Sequence, residues 1–246
     1  MKPSIKILLA ALLLTGPAYT FAKAHPTSKL YASDIVDRHL SGFNGVHVGG
    51  AFDVYITQGT NESVKVEAPA DVMSRIITEV SGGVLKIYNK HNDGWNWGEL
   101  WGNHKKVRVY VTAKDLNSIA ISGSGDVFFK DGITTNSLKL KISGSGDMMG
   151  KVTVKTLESH ISGSGDMKLS GRAESSTVTV VGSGDFMAGN LLTANSQVHI
   201  SGSGDANVNA SSKVDASVNG SGDVRYTGNA TNILKRKSGS GDISKY

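Results

Sequence analysis

Ser122-Gly123-Ser124-Gly125-Asp126 decides how this chain is read, because the same five positions return six more times. The copies are Ser143–Asp147, Ser162–Asp166, Val181–Asp185, Ser201–Asp205, Asn219–Asp223 and Ser238–Asp242. Only the first position varies, and Gly-Ser-Gly-Asp stands unchanged seven times. The closing aspartates are separated by 21, 19, 19, 20, 18 and 19 residues. A near-constant period of this length means that one structural unit is stacked on copies of itself.

Working outward from the aspartates exposes the columns of that unit. Five residues before each stand Ile121, Ile142, Ile161, Val180, Ile200, Val218 and Lys237. One residue after stand Val127, Met148, Met167, Phe186, Ala206, Val224 and Ile243. The column six before is polar in most copies, with Ala120, Lys141, His160, Thr179, His199, Ser217 and Arg236. This period-2 alternation predicts strands with one buried face on each side of the pentad. A coil of 18–21 residues holds about three short strands and three bends, the arithmetic of an all-β parallel β-helix with about 19–20 residues per coil.

Within the pentad, the glycines read as bends at positive φ and the serines as a ladder of hydroxyls between coils. The column Asp126, Asp147, Asp166, Asp185, Asp205, Asp223 and Asp242 reads as a structural turn element rather than a site. Carboxylates stacked at about 4.8 Å repel by about 1 kcal/mol per neighbouring pair in water. Either each accepts N–H groups of its own bend, or cations, calcium first among them, bridge the column. No cofactor is otherwise expected. The calcium-binding nonapeptide, P-loop and dinucleotide patterns all differ from this spacing. In the last copy Lys235, Arg236 and Lys237 break the apolar columns, as a cap on the terminal coil should.

Upstream, residues 1–24 read as a signal peptide, with Lys2 and Lys6, the apolar run Ile7–Leu14 and Ala22-Lys23-Ala24. The run is too short to span a bilayer and no later stretch is longer, so no transmembrane segment is expected. Without residues 1–24 the net charge falls from +5 to +2, because three lysines leave and no acid does. That balance gives no footing for a nucleic-acid partner. The absence of cysteine excludes disulfides, thiolate metal sites and a lipid-modified cysteine.

Residues 25–40 read as a polar linker or arm, and 41–246 as one β-helix domain. Within it, 41–121 holds N-terminal strands that continue or cap the solenoid, and 122–246 holds the pentad coils. Asp71–Val80 offers a short helix, although Ile76, Ile77, Thr78 and Val80 favour a strand. Residues 91–106 hold all three tryptophans, Trp95, Trp97 and Trp101. Their indoles either cover an open end of the core or form an exposed platform for a sugar ring or other apolar partner.

Phe43-x-x-Val46-x-Val48, Phe52-Asp53-Val54-x-Ile56-x-Gln58-Gly59, Val84-Leu85-Lys86-Ile87 and Ile119–Asp126 together resemble the head GIN domain. That family occurs in secreted bacterial proteins described as auto-transporter adhesins, notably among Bacteroidetes. The resemblance runs from about Phe43 to the C-terminus. It implies a right-handed parallel β-helix and an exported, envelope-associated protein. Only Ile243–Tyr246 follows Asp242, so no translocator barrel is expected in this chain.

The expected function is therefore a non-enzymatic binding or adhesion module of the cell envelope, in the periplasm, at the surface or outside the cell. A glycan or another envelope component is the candidate partner, and the oligomeric state stays open. The alternatives are a structural scaffold and, more remotely, a polysaccharide lyase or hydrolase. The last needs acids and a base gathered around one sugar. Here the acids form a repeated column and the histidines are scattered. An ice-binding face would need a regular threonine ladder, which the outward column lacks.

Overall fold

The computed structural model describes residues 33–90 and 107–246. The chain is a β-solenoid of about seven turns. Its N-terminal part comprises β1 (Ser33–Asp37), β2 (Gly45–Gly50), β3 (Asp53–Gln58), β4 (Ser63–Pro69), the one-turn helix α1 (Ala70–Met73), β5 (Ile76–Ser81), β6 (Val84–Asn89) and β7 (Arg108–Ala113). Asp71–Val80 thus divides between the two expectations. Ala70–Met73 makes a helical turn, and the β-branched run that follows is strand. The segment read as a linker or arm contributes β1, which pairs antiparallel with β4 at the sheet edge.

The regular coils follow as β8 (Ser118–Gly123), β9 (Val127–Gly144), β10 (Met148–Gly163), β11 (Met167–Gly182), β12 (Phe186–Gly202) and β13 (Ala206–Gly220). They close with β14 (Val224–Thr227), β15 (Asn232–Gly239) and β16 (Ile243–Lys245). Each long strand starts immediately after one pentad and ends inside the next, so each pentad marks one corner. Successive coils pair in parallel with matching columns, as in Met148↔Met167 and Met167↔Phe186. The two apolar columns beside the pentad are buried throughout, apart from Lys237 at the end. A single core therefore runs along the axis from Phe43 to Ile243.

Stacking order departs from chain order at the N-terminus. β2 and β3 form a coil directly before β8 and β9, while β6 and β7 form the next coil outward. The chain therefore builds one coil, builds its outer neighbour, and crosses back to start the regular series. Antiparallel β4 and β5 then cover that outer coil. In the β2–β3 coil, Gly50 pairs with Gly123 and Val54 with Val127, which sets Asp53 level with Asp126. Gly49-Gly50-Ala51-Phe52-Asp53 is thus a diverged copy of the pentad.

The pentad's chemistry also differs in two respects from the expectation. Each Asp carboxylate accepts the backbone N–H of the Asp in the following coil, not one from its own bend. Asp126 Oδ1 takes Asp147 N–H at 2.9 Å, and Asp147 Oδ1 takes Asp166 N–H at 2.8 Å. The series continues without a gap to Asp242. The serine ladder is not formed, since no hydrogen bond joins pentad hydroxyls of successive coils among the described residues. Instead the serine and second-glycine N–H groups both point at one carbonyl. Gly144 O accepts Ser164 N–H at 3.0 Å and Gly165 N–H at 3.2 Å.

Close stacking on the preceding coil leaves no room for a Cβ at either pentad glycine, and the first is required by its backbone conformation as well. Gly144 has φ +132°, a region that a side chain rarely enters. Gly165 has no positive φ, but an added Cβ there would run into Gly146 O of the preceding coil. Close stacking, not backbone freedom, fixes the second glycine. At the far end Lys235 and Lys237 occupy columns that are apolar elsewhere. Lys235 Nζ donates to Ile243 O at 2.8 Å and lies 5.1 Å from the Tyr226 ring centroid. Lys237 Nζ likewise donates to Gly241 O at 3.4 Å, so both ammonium groups fold back onto the last coil, as its cap should.

Candidate functional site

The outward column two residues after each Asp differs from every other outward column. Register places Lys65, Tyr110, Tyr55, Phe128, Met149, Lys168 and Met187 in one line across seven neighbouring strands. The residue one after a buried-face start points to water by strand alternation. Here five of the seven carry a ring or a thioether, and the other two are Lys65 and Lys168.

The rings stack on one another. Tyr55 and Phe128 have centroids 5.2 Å apart at 22°, and Tyr55 and Tyr110 are 5.5 Å apart at 20°. Tyr110 and Met149 are each 37 % exposed, so the stripe is a surface and not a covered core. Its outer end is held in place by a small network. The Tyr110 hydroxyl donates to Glu67 at 2.8 Å, and Glu67 pairs with Arg108 at 3.1 Å. That hydrogen bond, with burial, raises the Tyr110 phenol above its ordinary value, and Glu67 raises the Arg108 guanidinium.

Two unlike rims flank the stripe. On one side runs the Asp column, its members from Asp126 to Asp223 each with one oxygen engaged by the next coil. Among the described residues Asp147, Asp166 and Asp185 have no cationic partner, whereas Arg225 meets Asp223 at 3.2 Å. On the other side stand Lys130 and Lys151, with Lys130 Nζ 5.7 Å from the Phe128 ring centroid. There a groove of about 710 Å³ opens, its lining including Lys130, Lys151, Lys168, Met149, Met187 and Tyr246 and no acidic side chain.

A second groove of about 720 Å³ lies along another corner of the coils. It carries both signs, with Lys155 and Arg172 beside Glu174, and no aromatic ring. On the face before the pentad, His47 Nε2 lies 3.0 Å from Ser122 Oγ. Burial, then Lys86 and Lys141, lower its affinity for a proton. His160 and His199 share its column but sit on other coils. No group of three or more His, Asp or Glu side chains able to hold a metal occurs among the described residues.

The sequence-level candidates Trp95, Trp97 and Trp101 lie outside the described residues. The stripe was missed because Tyr55, Tyr110 and Phe128 are far apart in the chain and meet only through the out-of-order coil. Setting Asp53 level with Asp126 would have brought Tyr55 beside Phe128. No helix among the described residues is long and apolar enough to cross a membrane.

The fold and its repeat have solved counterparts. A protein from Bacteroides fragilis NCTC 9343, called a "putative adhesin", is 28 % identical with TM-score 0.81, covering 87 % of this chain and 97 % of that one. A protein from Parabacteroides distasonis ATCC 8503 called a "putative lipid binding protein" is 22 % identical with TM-score 0.70, covering 87 % and 96 %. A "putative adhesin" from Parabacteroides merdae ATCC 43184 is 19 % identical with TM-score 0.68, covering 87 % and 96 %. No curated protein matches. The family model described as "putative auto-transporter adhesin, head GIN domain" matches residues 42–230, most of the solenoid, and the chain belongs to that family.

Proposed function

We propose that this protein is an exported, non-enzymatic adhesion module of the bacterial cell envelope that holds a glycan on its side face. The observation that carries this reading is the stack of Tyr110, Tyr55 and Phe128 continued by Met149, with Tyr110 and Met149 exposed and Tyr55 and Phe128 half-buried. Rings stacked on one another turn edges rather than faces to the surface, and that apolar strip on a rigid frame gives the C–H faces of sugars a contact. Asp and Lys side chains on the two rims supply acceptors and donors for sugar hydroxyls. The arrangement suits an extended ligand better than a single sugar, because no enclosed cavity surrounds the rings. The family and two of the three structural relatives described above carry adhesin names, which agrees with this reading, while the third carries a lipid-binding name.

Export is part of the proposal and rests on the signal-like residues 1–24. A glycan array probed with the protein from His25 onward tests it, with Tyr55→Ala/Phe128→Ala as the paired variant. Binding by the parent and loss in the variant are expected. Silence on every glycan, with capture of envelope proteins instead, would favour a scaffold role.

A further inference from the structure

We infer that the glycan is an anionic polysaccharide, uronate-bearing in its simplest form, lying along the solenoid axis with its charges toward the lysine groove. This rests on the adhesion reading above and adds the charge and direction of the ligand. Three observations converge. The ring stripe runs along the axis, crossing one strand after another, so a chain that follows it must run the same way. Adjacent strands are spaced by about 4.8 Å. A pyranose chain whose advance per sugar is close to that spacing sets successive sugars over successive coils.

The third observation is the electrical asymmetry of the rims. The groove continues the stripe, since Met149 and Met187 belong to both. Lys130, Lys151 and Lys168 stand there with no acidic side chain in the lining, and among the described residues none of them has an ion-pair partner. The opposite rim is the aspartate column, which repels an anion. A polymer carrying carboxylates along one edge is therefore oriented: charges into the groove, hydroxyls toward the aspartates, C–H faces against the edges of the Tyr55 and Phe128 rings. A neutral polymer would use the rings and leave the three ammonium groups unanswered. The groove at the other corner, with Glu174 between its cations, lacks this selectivity.

The test is binding of polygalacturonate against the same polymer with its carboxylates methyl-esterified, followed by biolayer interferometry. The charged form should bind at least about tenfold more tightly, and the difference should vanish near 1 M salt, where the screening length is about 3 Å. Lys151→Glu/Lys168→Glu should reduce binding of the charged form about tenfold or more. Lys141→Glu, an equal change per residue on the face before the pentad, should leave it unaltered. Equal binding of both polymers, or equal damage from Lys141→Glu, overturns the anionic assignment while leaving a glycan-binding face. No binding of either form, with the array also silent, overturns the adhesion reading itself.

Discussion

The regular coils from Ser122 onward and the coil built by β2 and β3 use the same corner in different ways. In the regular coils, as at Ser164, Gly165 and Asp166, the N–H groups of the last three pentad positions are taken by the preceding coil, the first two by Gly144 O and the third by the Asp147 carboxylate. In the β2–β3 coil Phe52 stands where the second glycine belongs, and Asp126 N–H goes to Phe52 O at 3.0 Å. Asp53 is level with the column, yet its carboxylate makes no hydrogen bond among the described residues. Where the ladder stops, the outward rings begin. The comparison separates two demands: identical stacking needs Gly and Asp, whereas recognition needs the column beside them.

The largest expected difference between the regions lies at glycine. Gly165→Ala should destabilise by about 3 kcal/mol, because the added Cβ meets a backbone oxygen that stacking holds in place. Gly49→Ala, at the first pentad position of the diverged coil, should stay within about 0.5 kcal/mol. The nearest atom to its new Cβ is Tyr88 Cβ at 3.5 Å, an ordinary contact. Chemical denaturation of both variants checks this. Equal losses would mean that the fourth pentad position of a regular coil is no more closely packed than the first position of the diverged one.

Next comes aspartate. Asp166→Ala should cost about 1–3 kcal/mol, since it strands the N–H of Asp185. Asp53→Ala should be near neutral. Asp166→Asn keeps an acceptor oxygen and removes one stacked charge, so it should recover most of the loss. The bonded ladder itself offsets carboxylate repulsion, and we therefore expect a chelator to leave the melting temperature unchanged. A marked fall would restore calcium to the column.

Much of this architecture is legible from the pentads because periodicity survives in the columns beside them. Ile142, Ile161 and Val180 announce an inner face, and the structure buries all three. What is not legible depends on register between strands distant in the chain. The diverged pentad keeps only Gly50 and Asp53, so spacing alone does not reveal it. The direction of the Asp bonds is equally hidden, because an aspartate in a Gly-rich bend has local and inter-coil partners of the same type. The ring stripe needs both pieces of information at once.

Smaller effects sharpen the contrast further. Ser176 and Ser196 pair across coils in the core, and their buried hydroxyls have no hydrogen-bond partner among the described residues. Ser176→Ala/Ser196→Ala should be at least as stable as the parent, because it removes groups that were desolvated without compensation. His47 should contribute a modest pH dependence. Its proton affinity is lowered in the folded state, so its contribution is present above its unfolded pKa of 6.5 and is lost as pH falls through the folded value. The melting temperature should fall as pH is lowered from about 7 to 5, and His47→Gln should flatten that slope. An identical slope in the variant would assign the effect to other groups.

The central claim is that recognition belongs to the ring column and the pentad serves stacking. The most direct measurement is glycan binding by Tyr55→Ser/Phe128→Ser beside Asp166→Asn, each first shown to be folded by circular dichroism. The account predicts loss of binding in the ring variant and retention in the aspartate variant. Binding retained without the rings and lost with Asp166→Asn would contradict it.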